Sequence, residues 1–198
     1  MNEPLAPSAG NALEVAVAAR FLRGDVVDGR LWDVTVALGG ELLAVGGLAA
    51  TPEEGVDRIA AALASGRAAE RFERMVAALG GPADFLDRFD SHLAGAPEIA
   101  DVTAGRAGFV AGIDTRGLGL AVVALGGGRL RPGDAVHHGV GLENLLGLGA
   151  SVEPDTPLAR IHAADRDGLA AAETRVRAAY RIADEAPEVS PLLHDRIA

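Results

Sequence analysis

Cysteine and lysine are both missing from this 198-residue chain. Without cysteine there are no disulfides and no thiol chemistry, and the cytoplasm is the natural compartment. Without lysine, every basic side chain other than histidine is arginine. Aromatics make up only 4%, so Ala, Leu, Val and Gly must build the core. Positive charge is scarce as well. The 18 Lys+Arg against 28 Asp+Glu leave a net charge of −10, which repels nucleic acid and anionic membranes at long range. No apolar run approaches the roughly 20 residues of a membrane span. The N-terminus carries Glu3 and no basic-then-apolar pattern, so it does not read as a signal peptide.

What is present fits a folded chain of one or two domains, with 49% apolar residues. Residues 1–11 read as a turn or strand end, punctuated by Pro4, Pro7, Ser8 and Gly10. Asn11 is placed to cap a first helix, with Glu14 completing a capping box, Leu13, Val17 and Phe21 on its apolar stripe and Gly24 at its end. A second helix starts near Leu31, with Leu31, Val34, Leu38, Leu42 and Val45 as the core-facing stripe. Gly39 and Gly40 interrupt it, which points to close helix packing. Thr51-Pro52-Glu53-Glu54 supplies an N-cap, a first-turn proline and a capping-box glutamate for a third helix. Its buried face is Val56, Ile59, Ala60 and Leu63. A fourth helix, Arg67 to Leu79, turns Phe72, Met75, Val76 and Leu79 inward, and a short fifth holds Phe85, Leu86 and Phe89.

The pattern changes near residues 95–100, where β-like pieces begin around Ile99 to Ala104. Gly108 to Arg129 then organises the rest of the chain. Phe109, Ala111 and Ile113 share one face of a strand, Asp114 or Thr115 caps a helix, and Leu118, Ala121, Val122 and Leu125 recur at helical spacing. Gly126, Gly127 and Gly128 stop that helix. They lie at its C-terminal end, whereas phosphates prefer N-termini, so they read as a cap rather than a phosphate cradle. Pro132-Gly133 makes a turn, Ala135 to Val140 reads as a strand, and Val152 to Ile161 as a hairpin-like element around Pro154. Residues 169–179 form a helix and Tyr180 to Ala183 a last strand. Helices first, then mixed β and α, make the class α+β; no internal repeat is present.

The chemistry-bearing motifs are few. His92, His137, His138, His162 and His194 do not converge in any ligand spacing, and adjacent His137 and His138 on a strand point to opposite faces. Asp165-Arg166-Asp167-Gly168 lacks the further ligands of a calcium loop, with Val176 at the twelfth position, and reads as a turn before a helix. Gly139-Val140-Gly141 begins like a dinucleotide fingerprint but has Asn144 where a glycine is needed.

Several segments together resemble the C-terminal half of the thymidine phosphorylases, within the pyrimidine-nucleoside phosphorylases. They include Met1-Asn2-Glu3-Pro4-Leu5, Ser8-Ala9-Gly10-Asn11-Ala12-Leu13-Glu14-Val15, Leu31-Trp32-Asp33-Val34-Thr35 and Arg74-Met75-Val76-Ala77-Ala78. Further matches are Gly81-Pro82-Ala83-Asp84-Phe85, Pro157-Leu158-Ala159-Arg160-Ile161-His162-Ala163, and Asp114-Thr115-Arg116 with Ala121-Val122-Val123-Ala124. The resemblance implies that residues 1–96 complete a helix-flanked mixed-sheet α/β domain and that 97–198 form an α/β-hammerhead-like C-terminal domain. It implies a pentosyltransferase of pyrimidine nucleoside salvage with thymidine and phosphate as substrates, and a homodimer in the full-length family. Biotin- and lipoate-carrying hammerheads need a lysine, which excludes that role here.

The family's Gly/Ser/Thr-rich phosphate loop with its lysine, and its His, Arg, Ser and Lys around the base, precede the segment matched by Met1. No catalytic, substrate-binding, cofactor-binding or metal residue is therefore carried over. A monovalent cation held in some relatives uses backbone oxygens at the positions of Leu5 and Ser8 and a carboxylate at that of Val17, which cannot ligate. The expectation is a C-terminal fragment, with Met1 internal or a false start, inactive alone and with an apolar face left uncovered. The alternative is a non-catalytic subunit or scaffold docking with a separate N-terminal half. Were the chain active by itself, Asp114, His137 and His162 would be the places to seek a new site.

Overall fold

The computed structural model describes residues 2–25 and 28–196. Met1, on which the expectation about the start rests, lies outside them. The chain divides into two compact units, Ala16–His92 and Met1–Val15 with Leu93–Ala198. The division falls within α1 (Asn11–Arg23).

The unit Ala16–His92 is helical, with α2 (Gly29–Val45), α3 (Pro52–Ala64), α4 (Arg67–Ala78) and α5 (Phe85–His92). Asp28 caps α2, its Oδ1 accepting from Leu31 N at 2.8 Å, so the helix begins two residues before Leu31. Thr51 Oγ1 accepts from Glu54 N at 3.2 Å, and the Glu54 carboxylate reaches back to Ala50 N at 2.7 Å. That backbone donor, then Arg58, holds the Glu54 carboxyl below its usual range. Helices α2 and α3 meet backbone to backbone. A Cβ on Gly40 would sit 2.7 Å from the Pro52 carbonyl oxygen, and one on Gly55 2.8 Å from Gly40 Cα. The glycines inside α2 thus exchange helix propensity for this close approach. Phe85, Leu86 and Phe89 of α5 are buried. Arg20 and Arg23 lie 5.6 and 5.9 Å from the Phe89 ring centre.

Two expected inward faces turn outward. Leu31, Val34, Leu38, Leu42 and Val45 do share one side of α2, but Leu38, Leu42 and Val45 are 62%, 72% and 85% exposed. The packed side carries Val36 and Gly40. Met75 and Leu79 are exposed too, while Phe72 and Val76 are half-buried. Periodicity identifies residues that share a face; it does not say what lies against that face.

The other unit is α+β. Its first sheet orders β1 (Ser8–Gly10), β4 (Gly141–Glu143), β6 (Pro157–Ala163) and β2 (Glu98–Thr103), with every pair antiparallel. Its second places β3 (Gly108–Ile113) between β5 (Ser151–Val152) and β7 (Tyr180–Ala183), again antiparallel. Helices α6 (Thr115–Val122) and α7 (Arg166–Ala179) complete the core, which includes Val102, Val110, Leu118, Leu142, Leu158, Ile161 and Val176. Asp114 caps α6 through Gly117 N at 2.9 Å, and Asp165 caps α7 through Gly168 N at 2.7 Å. The second cap makes the Asp165–Gly168 stretch the turn and helix start expected of it.

Helix α6 runs into a π-helical turn, Val123–Gly127, that ends with Gly126 at φ 91°. Leu118, Ala121, Val122 and Leu125 are buried as the spacing requires. The strand before it departs from simple alternation. Val110, not Phe109 or Ala111, is its fully buried residue, and a bulge between Val110 and Gly112 makes Ala111 an extra residue and switches the faces after it. Bulging leaves the Ala111 carbonyl outside the ladder, and Arg181 Nη2 donates to it at 2.6 Å. A second irregularity, at Val102/Thr103 in β2, is met likewise by Arg177 Nη1 on the Thr103 carbonyl at 2.8 Å.

Three further readings are corrected. Residues 135–140 form no strand, because their backbone bonds go to helix ends: His137 N donates to Gly126 O at 2.9 Å, and His138 O accepts from Ala12 N at 3.0 Å. Val152 to Ile161 is not a hairpin, since β5 and β6 join different sheets. Asn11 is the first helical residue rather than the cap; its Nδ2 donates to Gly127 O at 2.8 Å, and Glu14 accepts from Gly10 N at 3.4 Å.

Each unit has a test. Gly55→Ala forces α2 and α3 apart and should cost about 1–3 kcal/mol, seen as an earlier unfolding transition of Trp32 fluorescence. Leu125→Asp removes burial worth about 1.5–3 kcal/mol and adds an unpaired buried charge. Amide protection across β6 should then collapse; unchanged exchange rates would contradict this account of the core.

Candidate functional site

On β6, Arg160 and His162 alternate with buried Ala159, Ile161 and Ala163, so they share the other face of the first sheet. The register sets Asp101 of β2 and Glu143 of β4 on either side of Arg160, and Ile99 and Gly141 on either side of His162. Arg160 grips Asp101 with two bonds, Nε–Oδ1 at 2.7 Å and Nη2–Oδ2 at 3.1 Å. His162 Nε2 lies 3.2 Å from Glu143 Oε2, with both side chains largely covered. The bond from Arg160 holds the Asp101 carboxyl below the usual range, and Asp101 in turn raises the Arg160 guanidinium.

Here a residue singled out in the sequence, His162, meets three other ionisable groups on a shared sheet face. Its companions Glu143, Arg160 and Asp101 were not singled out. Their only signal is strand register, which brings residues 101, 143 and 160 together across three strands. Arg160 pairs with Asp101 and the His162 ring lies against the Glu143 carboxylate, which is what a braced sheet surface needs.

The other candidates stand apart. Asp114 spends its carboxylate on the α6 cap. His137 sits in an exposed loop with its ring against Gly126, and exposed His138 follows it in the same loop. His92 stacks on Phe85, ring centres 6.2 Å apart, with Asp84 Oδ1 at 3.2 Å. His194 is exposed near the C-terminus. Tyr180 donates its hydroxyl to Leu146 O at 3.1 Å, and burial pushes its phenol above the ordinary value, so it is no base at neutral pH. Gly141 is held in the β1–β4 ladder opposite Gly10 rather than at the start of a nucleotide-binding helix.

Among the described residues, no group of three or more His, Cys, Asp or Glu side chains is arranged to hold a metal ion. Ser8 Oγ is buried without a hydrogen-bond partner among the described residues. No helix among them is long and apolar enough to cross a membrane.

Comparison with known proteins bears out the resemblance. Residues 109–183 match the pyrimidine nucleoside phosphorylase C-terminal domain, which takes in β3, α6, β4, β5, β6, α7 and β7. Over 197 residues the chain is 48% identical to thymidine phosphorylase of Sinorhizobium fredii (strain NBRC 101917 / NGR234) and 48% identical to that of Sinorhizobium medicae (strain WSM419). Identity to thymidine phosphorylase of Rhizobium meliloti (strain 1021) is 47%. In each case the match takes in 100% of this chain and 45% of the relative, so the chain spans less than half the length of these relatives.

The Asp101–Arg160 pair gives a pH test. Because Asp101 is lowered in the folded state, its contribution to stability is present above the ordinary aspartate range and fades as pH falls through the lowered value. Carboxyl NMR should place the Asp101 midpoint below about 3.9, and Arg160→Ala should return it there. An unmoved midpoint in that variant would separate the two groups.

Proposed function

We propose, for a chain that carries a pyrimidine nucleoside phosphorylase C-terminal domain, that it is the C-terminal part of a cytoplasmic thymidine phosphorylase. The reaction would be thymidine plus phosphate to thymine plus 2-deoxyribose 1-phosphate. The observation that carries this reading is the 47–48% identity along the whole chain to proteins of that name. In this reading residues 1–96 contribute to the α/β domain and 97–198 form the hammerhead-like domain, and the assembled protein is a homodimer.

Phosphorolysis demands groups that fix phosphate against the anomeric carbon and stabilise the charge that builds on the departing base. We assign those groups to the part of the relatives that this chain does not span. The absence of lysine supports that assignment, as do the mutual contacts of Arg160 with Asp101 and of His162 with Glu143. The role left to this chain is structural: a rigid α+β unit and a helical unit that complete a catalytic body formed elsewhere. A second reading, a scaffold that docks with a separately encoded N-terminal half, is favoured by one observation, the uncovered apolar side of α2.

Purified chain incubated with thymidine and phosphate should release no thymine above a no-protein control. Release that survives repurification would overturn the assignment and direct mutagenesis to Asp114, His137 and His162.

A further inference from the structure

Helix α2 is apolar on two opposite sides. One side, at Val36, Gly39 and Gly40, is closed by α3: a Cβ on Gly39 would sit 2.9 Å from Ile59, and one on Gly40 2.7 Å from Val56. At 100° per residue, Leu31, Val34, Leu38, Leu42 and Val45 fall about half a turn away. Along that second side Leu38, Leu42 and Val45 stand 62%, 72% and 85% exposed. A helix with apolar residues on two opposite sides is suited to a place where both sides are covered. A continuous apolar stripe in water is the mark of a surface made to be covered.

We propose that this stripe docks the polypeptide corresponding to the portion of the thymidine phosphorylases that this chain does not span. The inference rests on the functional reading above, and it names the face by which the two parts join. Two observations select this occupant. The relatives are more than twice as long as the chain, which covers 45% of them, so each carries ample polypeptide to lie over α2. A second copy seated on this stripe is disfavoured because two chains of net charge −10 repel at long range and the stripe itself offers no opposite charge to offset this. The covering surface should itself be apolar, since the stripe offers no charged partner among its five residues.

The test is co-expression of the full chain with the remainder of the Sinorhizobium fredii protein, followed by chromatography with light scattering and by calorimetry. A one-to-one complex is expected. Leu42→Glu and Val45→Arg should each weaken it at least tenfold while leaving the circular dichroism of the chain intact. Leu79→Glu, at an exposed apolar position on another segment of the same unit, should leave affinity unchanged. Failure to form a complex, or equal affinity in the stripe variants, overturns the proposal. So does a dimer of the chain alone that Leu42→Glu converts to monomer, which would assign the stripe to a second copy. Thymine release by the complex is assayed separately. A stripe-dependent complex without turnover leaves the docking face standing and removes the catalytic reading; turnover indifferent to the stripe does the reverse.

Discussion

The α+β unit depends on how one helix ends. Helix α6 and its π-helical turn finish at Gly126 and Gly127, where carbonyls run out of partners within the helix. The chain cannot bury those oxygens bare, and two distant donors meet them. His137 N binds Gly126 O and Asn11 Nδ2 binds Gly127 O. The first fixes the loop leading to β4; the second fixes the start of α1. Because Ala12 N also binds His138 O, the loop and the two helix ends close on one another. Gly126 makes this possible, since its φ of 91° turns the backbone away at the point where a Cβ would meet the His137 ring.

Arginine takes a structural part that lysine would fill poorly. A bulge frees a carbonyl from its ladder, and that oxygen needs a directed donor reaching across the strand. Arg181 and Arg177 supply one each, at Ala111 and Thr103. Arg160 matches both oxygens of Asp101 at once. A planar fork with fixed donors suits all three tasks; a single rotating ammonium does not.

The sequence was legible where structure is decided locally. The caps at Thr51, Asp114 and Asp165 are set by a side chain and an amide three residues on, and the core spacing of Leu118 to Leu125 comes from one helical period. It was illegible where a distant partner decides. Nothing local distinguishes the outward Leu38 from an inward one, and nothing before β7 is placed marks Ala111 as a bulge. Residues 135–140 have a strand's composition, but their hydrogen bonds are claimed by α1 and Gly126. The charged face was hidden for the same reason: His162 finds Glu143 only because β4 and β6 pair in one register. What the sequence did carry was kinship, a property of many positions together rather than of any one fold decision.

The pairing of β1 with β4 sets an order of events in synthesis. Ser8–Gly10 must wait for Gly141–Glu143, and the entire helical unit Ala16–His92 leaves the ribosome in between. At typical elongation rates that interval is on the order of ten seconds, long enough for helices to form many times over. The helical unit is therefore free to collapse before β1 meets β4. Throughout that interval β1 is without its β4 partner, and whatever covers that edge on the nascent chain decides whether the sheet closes on its own β4 or on another polypeptide's.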